Sequence, residues 1–226
     1  MLSHGERLCY NGENEKRAVT TMQYLIAVIL GYLLGCSSMA YYIGLLKKKD
    51  IRTAGSGNLG ASNATVLFGW GAGVAVALHD IGKAVLAVLL ARWMFPGLEY
   101  AGAAAGTACV MGHIFPFYLK FRGGKGLASY FGMTLALNWR LALAIAVMVL
   151  LITLITDFIA LGTISTVIAV PAYIAVTTGN FVLVGILCIA SVVMIVKHRD
   201  NIVRIARHEE IGLRSTAKGE NRIDKK

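Results

Sequence analysis

The sequence is poor in charged residues and lacks the patterns that mark soluble cofactor enzymes. Only 15% of its 226 residues are charged, whereas 57% are hydrophobic, and the mean hydropathy is +0.66. The four cysteines are scattered and form no CxxC pair, so neither a disulfide framework nor a metal site is predicted. A composition this apolar is typical of a polytopic membrane protein.

Acidic residues are also few, which leaves a net charge of +10. A basic chain can bind nucleic acid, but here the lysines and arginines lie in short clusters between apolar segments. That distribution follows the positive-inside rule for membrane proteins. We therefore expect membrane lipids, and no nucleic acid, as partners of this chain.

The apolar segments predict an all-α polytopic membrane protein with seven transmembrane helices, an outside N-terminus and a cytoplasmic C-terminus. In this topology the outside loops carry only Glu99 and Arg140, whereas the basic clusters face the cytoplasm. We interpret 65–78 as a short surface or re-entrant helix, because a full span there would move four basic residues outside. The predicted spans are 22–46, 80–95, 101–118, 127–137, 141–155, 158–176 and 181–196.

The two ends of the chain differ from this membrane domain, which we place at residues 22–212. Residues 1–21 are polar and lack apolar periodicity, so we expect a disordered extension or a mis-assigned start with Met22 as the initiator. Residues 213–226 form a basic tail that we expect in the cytoplasm.

The segment 112–126, GHIFPFYLKFRGGKG, places a cationic glycine-rich turn at the end of an apolar span. Glycines let the backbone approach an anion closely, and Arg122 and Lys125 supply countercharge, so phosphate is the expected ligand. The turn is not a Walker A loop, because Gly126 stands where Ser or Thr should follow the lysine, and ATP is not implied. His113 is either a hydrogen-bonding residue at the helix end or part of the site.

A second inner loop, GSGNLGASN at 55–63, formally matches the dinucleotide fingerprint GxGxxG. No strand precedes it and no βαβ unit follows, so a nucleotide is not predicted. Its small residues and its hydroxyl and amide groups favour a polar turn that begins the next helix. The alternative is a flexible loop.

A third inner segment begins at KHRDNIVR, 197–204, and ends in Glu209-Glu210. On a helix His198 and Asn201 lie three residues apart and share a face, which Arg204 extends. A histidine there could act as a general base or orient a substrate hydroxyl. The alternative is a solvated, positively charged helix end. Elsewhere, the spacing of Asp80 and Lys83 predicts an ion pair at a helix start.

Together and in this order, the three segments resemble the motifs of the bacterial acyl-phosphate-dependent glycerol-3-phosphate acyltransferases, the PlsY family, from about residue 22 to 210. The resemblance implies a seven-helix inner-membrane enzyme with its active site on the cytoplasmic side. It would transfer a fatty acyl group from acyl phosphate to sn-glycerol 3-phosphate, giving lysophosphatidate and phosphate, without cofactor or metal. It also implies a soluble enzyme that produces the acyl phosphate.

The resemblance also assigns site residues. Catalytic roles are implied for Ser56, Lys125, His198 and Asn201, and a structural role is implied for Glu210. Substrate or phosphate binding is implied for Gly57, Asn58, Asn63, Arg122, Gly123, Gly124, Gly126 and Thr163.

The chain departs from the family pattern at three positions. Val66 stands where the first motif usually carries an arginine, and Ser62 replaces a threonine of the same motif. His208 stands where the third motif usually carries a glycine, unless the motif is shifted by one residue. Arg52 or a lysine of 47–49 could replace the missing cation. The alternative function is a non-catalytic or divergent paralogue that binds or transports phosphorylated metabolites, although polar residues cluster at the inner ends of spans rather than at mid-membrane, as transport would require.

Overall fold

The computed structural model describes residues 4–210 and Gly212, and their regular structure is helical. Besides short 3₁₀ turns at Ile51–Thr53 and Phe117–Leu119, there are nine α-helices in the described residues. They are α1 His4–Cys36, α2 Met39–Leu46, α3 Ala61–Phe68, α4 Trp70–Met94, α5 Ala101–Ile114, α6 Leu127–Leu137, α7 Trp139–Thr156, α8 Ile159–Thr178 and α9 Phe181–Ala206.

The first helix includes most of the N-terminal extension. Helix α1 begins at His4 and runs without a break to Cys36, which argues against a disordered extension, whereas Met22 as the initiator remains a prediction. Once a helix is nucleated, each added residue costs little. The exposed Glu, Lys and Arg residues at 13–17, which are good helix formers, therefore extend the apolar helix toward its N-terminus. Residues 1–3 and the predicted tail 213–226 lie outside the described residues.

Helix α4 corrects the boundary of the second predicted span. It is one continuous helix of 25 residues, so the span begins at Trp70 instead of near Asp80. The short helix before it is α3, which ends at Phe68 and is followed by Gly69, a residue with φ 89°. The prediction was wrong because it treated Asp80 and Lys83 as an interruption. Their ion pair, at 2.7 Å, lets both charges lie inside the helix.

Five helical segments of the described residues are long and apolar enough to cross a membrane, and α9 makes a sixth if its 43° bend at His198 is counted within one span. Helix α6 is apolar but has only 11 residues, or about 16 Å at 1.5 Å per residue, against about 30 Å of hydrocarbon. The chain is therefore a multi-pass helical membrane protein. The count of seven spans and the orientation of the termini remain predictions.

Close packing of α1 on α5 sets the position of the site. A Cβ atom on Gly31 would lie 2.2 Å from the carbonyl oxygen of Ala105, and one on Gly35 would lie 2.0 Å from that of Cys109. Only glycine permits this approach, which is the usual way that helices pack inside membranes. Because α5 is held against α1, its last turn and the loop after it are fixed against the elbow between α1 and α2.

Candidate active site

The glycine-rich loop folds back onto the end of α5. The N–H of Gly124 donates to the carbonyl of His113 and the N–H of Gly123 to that of Ile114, each at 3.0 Å. A Cβ atom on Gly123 would lie 2.0 Å from the His113 carbonyl oxygen, and one on Gly124 would lie 2.0 Å from His113 Nε2. These glycines are needed for packing. Their N–H groups are engaged with backbone carbonyls, and the implied phosphate-binding role of the two glycines remains a prediction.

The first turn of α6 offers other donors for an anion. Gly126, at φ 100°, begins this helix and no side chain caps it. The first N–H groups of a helix have no partner within it and attract anions. Lys125 directly precedes this turn. Ser129, also in the turn, is fully buried, and its hydroxyl has no hydrogen-bond partner among the described residues. Sequence reasoning missed Ser129, which belongs to no recognised pattern.

The structure brings the second and third motifs together. The ammonium group of Lys125 donates to Oδ1 of Asn201, and Nδ2 of Asn201 donates to Oε1 of Glu210 at 2.7 Å. The guanidinium of Arg204 donates to the other oxygen of Glu210. Glu210 thus holds Asn201 and Arg204 in place, and Asn201 in turn orients Lys125.

His198 shares the buried face of α9 with Asn201, as its spacing predicts. Its Nδ1 lies 2.8 Å from the carbonyl oxygen of Met194. A carbonyl can only accept, so Nδ1 carries the proton and Nε2 keeps its lone pair. Helix α9 bends at this residue. A neutral histidine with a fixed tautomer and a basic Nε2 is suited to accept a proton.

The first motif forms a loop organised by Asn63. Its Oδ1 accepts from the N–H of Ser56 at 2.9 Å, and its Nδ2 donates to the carbonyls of Ile51, Ala54 and Asn58 at 3.0–3.2 Å. The amide of Asn63 is thus used within the loop, and its implied role in binding substrate remains a prediction.

The loop presents other groups to solvent. Gly55 and Gly57 adopt φ of 60° and 69°, which lets the chain turn twice. Ser56, between them, is exposed. The Ser56 hydroxyl makes no hydrogen bond within residues 4–210, so it is available to a ligand.

The first motif lies beside the second. Leu59 and Leu119 are buried in the same apolar cluster, and the rings of Tyr41 and Tyr118 meet edge to face at 6.0 Å. The loops at 55–63 and 117–126 therefore share one side of the molecule.

The candidate replacement for the missing arginine lies beside the first motif. The Arg52 carbonyl would be 3.0 Å from a Cβ atom on Gly57. The Arg52 guanidinium bonds both oxygens of Asp50, with 2.8 Å to Oδ2. This hydrogen bonding lowers the pKa of Asp50 to about 2. The Asp50 carboxylate therefore holds the Arg52 side chain in one orientation. Val66, at the position of the family's arginine, is half-buried in α3.

Two predicted residues are not drawn into these clusters. The Thr163 hydroxyl is buried and donates to the carbonyl of Ile159, one turn earlier in α8. Arg122 is exposed on the glycine-rich loop. Their implied binding roles remain predictions.

Comparison with known proteins identifies the family. The family model described as glycerol-3-phosphate acyltransferase matches residues 25–208. A protein named glycerol-3-phosphate acyltransferase 1 from Oceanobacillus iheyensis is 38% identical over 86% of this chain and 97% of its own length. The glycerol-3-phosphate acyltransferase of Coxiella burnetii is 36% identical over 84% of this chain and 97% of its own.

Solved structures show the same fold. The crystal structure of PlsY (YgiH), an integral membrane glycerol 3-phosphate acyltransferase, in its glycerol 3-phosphate form, superposes with a TM-score of 0.79 at 31% identity. The match covers 84% of this chain and 95% of that one. The lysophosphatidic acid form gives a TM-score of 0.76. These matches confirm the resemblance of the three motifs, and the chain belongs to the glycerol-3-phosphate acyltransferase family.

Proposed function

We propose that this chain transfers a fatty acyl group from acyl phosphate to the 1-hydroxyl of sn-glycerol 3-phosphate, giving lysophosphatidate and phosphate for phospholipid synthesis. One observation supports this most strongly: Lys125, Asn201 and Glu210, from two distant motifs, form one hydrogen-bonded cluster. His198 lies one helical turn from Asn201 on the same buried face. The cluster places a cation and a candidate proton acceptor at one site, as acyl transfer between phosphorylated molecules requires.

In this proposal a substrate phosphate binds at the first turn of α6. The unpaired N–H groups of that turn point along the helix axis toward the anion, and Lys125 adds a full positive charge. Asn201 limits the freedom of the Lys125 side chain, which reduces the entropy lost when phosphate binds. The loop with Ser56, Gly57 and Asn58 holds the second phosphorylated substrate, and Arg52 supplies its countercharge.

The chemistry requires alignment and one proton transfer. The acceptor hydroxyl oxygen attacks the acyl carbonyl carbon, and the bond from that carbon to the phosphate oxygen breaks. The hydroxyl proton passes to Nε2 of His198, and phosphate leaves with the bonding electrons. Acyl phosphate is already activated, so positioning and stabilisation of the developing charge account for most of the catalysis.

The proposal also includes the topology of the enzyme in the membrane. Counting the short helix α6 as a span gives seven, with the N-terminus outside and the three motifs on the cytoplasmic side of a bacterial cell membrane. The basic residues of the inner loops support this orientation. A soluble enzyme delivers acyl phosphate to that side, and the acyl chain lies among the apolar helices.

The direct test is purified protein in lipid vesicles, supplied with acyl phosphate and glycerol 3-phosphate and analysed for products by mass spectrometry. We expect lysophosphatidate and phosphate from acyl phosphate, and no product from acyl-CoA. Phosphate release without lysophosphatidate would contradict the acceptor, and transfer from acyl-CoA alone would contradict the donor.

A further inference from the structure

A charged cluster lies inside the helix bundle, apart from the groups assigned above. Asp80 and Lys83 of α4 and His113 of α5 are 2%, 6% and 7% exposed. Ionisable side chains within a membrane domain are costly and are usually retained for a function. Their neighbours are Ser37, whose hydroxyl contacts Nε2 of His79 at 3.0 Å, and His79 itself, with Nδ1 3.5 Å from Asp80.

The hydrogen bonds of Lys83 determine where the proton of His113 lies. The Lys83 ammonium contacts Oδ1 of Asp80 at 2.7 Å, the carbonyl of Ser37 at 2.7 Å and Nδ1 of His113 at 3.1 Å. An ammonium group has three donors and no acceptor, so Nδ1 of His113 must accept. A proton on Nδ1 could donate to Asp80 at 3.3 Å but would face the ammonium. The proton of His113 therefore lies on Nε2.

The Nε2 side of the His113 ring faces the glycine-rich loop. It lies 2.0 Å from the position of a Cβ atom on Gly124, whose N–H donates to the carbonyl of His113. Nε2 makes no hydrogen bond to the part of the chain that the structure describes. The fixed tautomer thus leaves an N–H donor beside the turn that leads to Lys125.

We propose that His113 is a further phosphate-binding residue, which donates from Nε2, and that Asp80 and Lys83 are positioning residues that fix its tautomer and orientation. This inference rests on the proposed function, because the bound group is a phosphate oxygen of a substrate held at Lys125 and the first turn of α6. The hydrogen bond from Lys83 to the Ser37 carbonyl also connects the segment between α1 and α2 to Asp80, Lys83 and His113.

The first test removes both charges at once. The double variant Asp80→Asn/Lys83→Met leaves no unpaired buried charge, and such replacements commonly preserve stability. We expect a folded protein in which KM for at least one phosphorylated substrate rises about tenfold, the size of effect of one hydrogen bond to a charged group. His113→Asn should raise the same KM. The control is Arg92→Met on the same helix, whose guanidinium binds the Ala136 carbonyl. It should leave KM within about twofold.

A second test requires no turnover. In protein labelled with ¹⁵N-histidine, the His113 signals are those missing from the His113→Asn variant. We expect the Nε2-protonated tautomer in the wild-type chain and a change of tautomer or line width in the double variant. A proton on Nδ1 in the wild type, or an unchanged KM in the folded double variant, would overturn the proposal. If the chain transferred no acyl group, the proposed function would fail, and the tautomer would still decide the role of Lys83.

Discussion

Lys125 and Asn201 are joined by a hydrogen bond from the ammonium group to the amide oxygen, although 76 residues separate them in the chain. Asn201 is itself held by Glu210, so the position of the cation depends on a segment at the other end of the membrane domain. The second and third motifs therefore act as one unit.

Replacing Lys125 with alanine should abolish most of the acyl transfer. The variant loses the cation beside the first turn of α6, and loss of one stabilising group of this kind costs about 10²–10³ in kcat. Initial rates of lysophosphatidate formation measure the effect. Lys120→Ala, an exposed lysine of the same loop, is the matched control and should retain activity. Equal activity in the two variants would remove Lys125 from the site.

Gly124→Ala should displace the glycine-rich loop. The new methyl group would lie 2.0 Å from His113 Nε2, so the loop or the ring must move, at a cost of about 1–3 kcal/mol. We expect a lower melting temperature and a loss of activity. Gly82→Ala is the control, because nothing lies within 4 Å of a Cβ atom there. Normal activity in Gly124→Ala would show that the packing of the loop on His113 is dispensable.

His198→Gln should lower kcat with little change in KM. Glutamine has a similar size but cannot accept a proton at neutral pH, and a positioned general base is worth about 10²–10⁴ in rate. The exposed His208 offers the control variant His208→Gln. If His198→Gln changed only KM, the residue would bind substrate instead, and a substrate phosphate oxygen would have to accept the proton.

His208→Gly should stabilise the protein. His208 adopts φ 57°, a left-handed conformation that costs a residue with a Cβ atom about 1–2 kcal/mol. Glycine avoids this cost, but its greater freedom in the unfolded chain offsets part of the gain. We expect the free energy of unfolding, measured by thermal denaturation, to rise by about 0.5–1 kcal/mol. Arg207→Gly, at φ −91°, should be destabilising. A loss of stability in His208→Gly would contradict this explanation of the family's glycine.

Val66→Arg should raise activity by adding a second guanidinium near the first motif, because the charge of Arg52 is partly neutralised by Asp50 at 2.8 Å. Val66 is half-buried in α3, which follows the loop that Asn63 organises. We expect a lower KM for one phosphorylated substrate, measured beside Thr65→Arg as the control. An unchanged KM would instead indicate that Arg52, which Asp50 holds in place, already supplies this charge.

The sequence was sufficient to predict the helical membrane fold, the three motifs and the approach of His198 to Asn201, because hydropathy and helical spacing are local properties. It did not predict that α4 runs through Asp80, since hydropathy counts each charge separately and cannot recognise a pair that neutralises itself. The sequence also did not predict that the N–H groups of Gly123 and Gly124 form backbone hydrogen bonds. Their acceptors, His113 and Ile114, are reached only after the loop folds back on α5.

Ser129 and His113 illustrate the same limit. The Ser129 hydroxyl is of interest because it has no hydrogen-bond partner among the described residues. His113 is of interest because it contacts Lys83. Both observations depend on how the helices pack. The helical segment 4–21 was missed for a different reason, because a polar helix continued from an apolar one has no apolar periodicity of its own.

The most direct test of the central claim is the stoichiometry of the purified wild-type protein with acyl phosphate and glycerol 3-phosphate. Lysophosphatidate and phosphate are measured in the same reaction, with Lys125→Ala assayed in parallel. We predict equal amounts of the two products from the wild type and almost none from the variant. Phosphate without lysophosphatidate, or equal turnover in both proteins, would contradict the account.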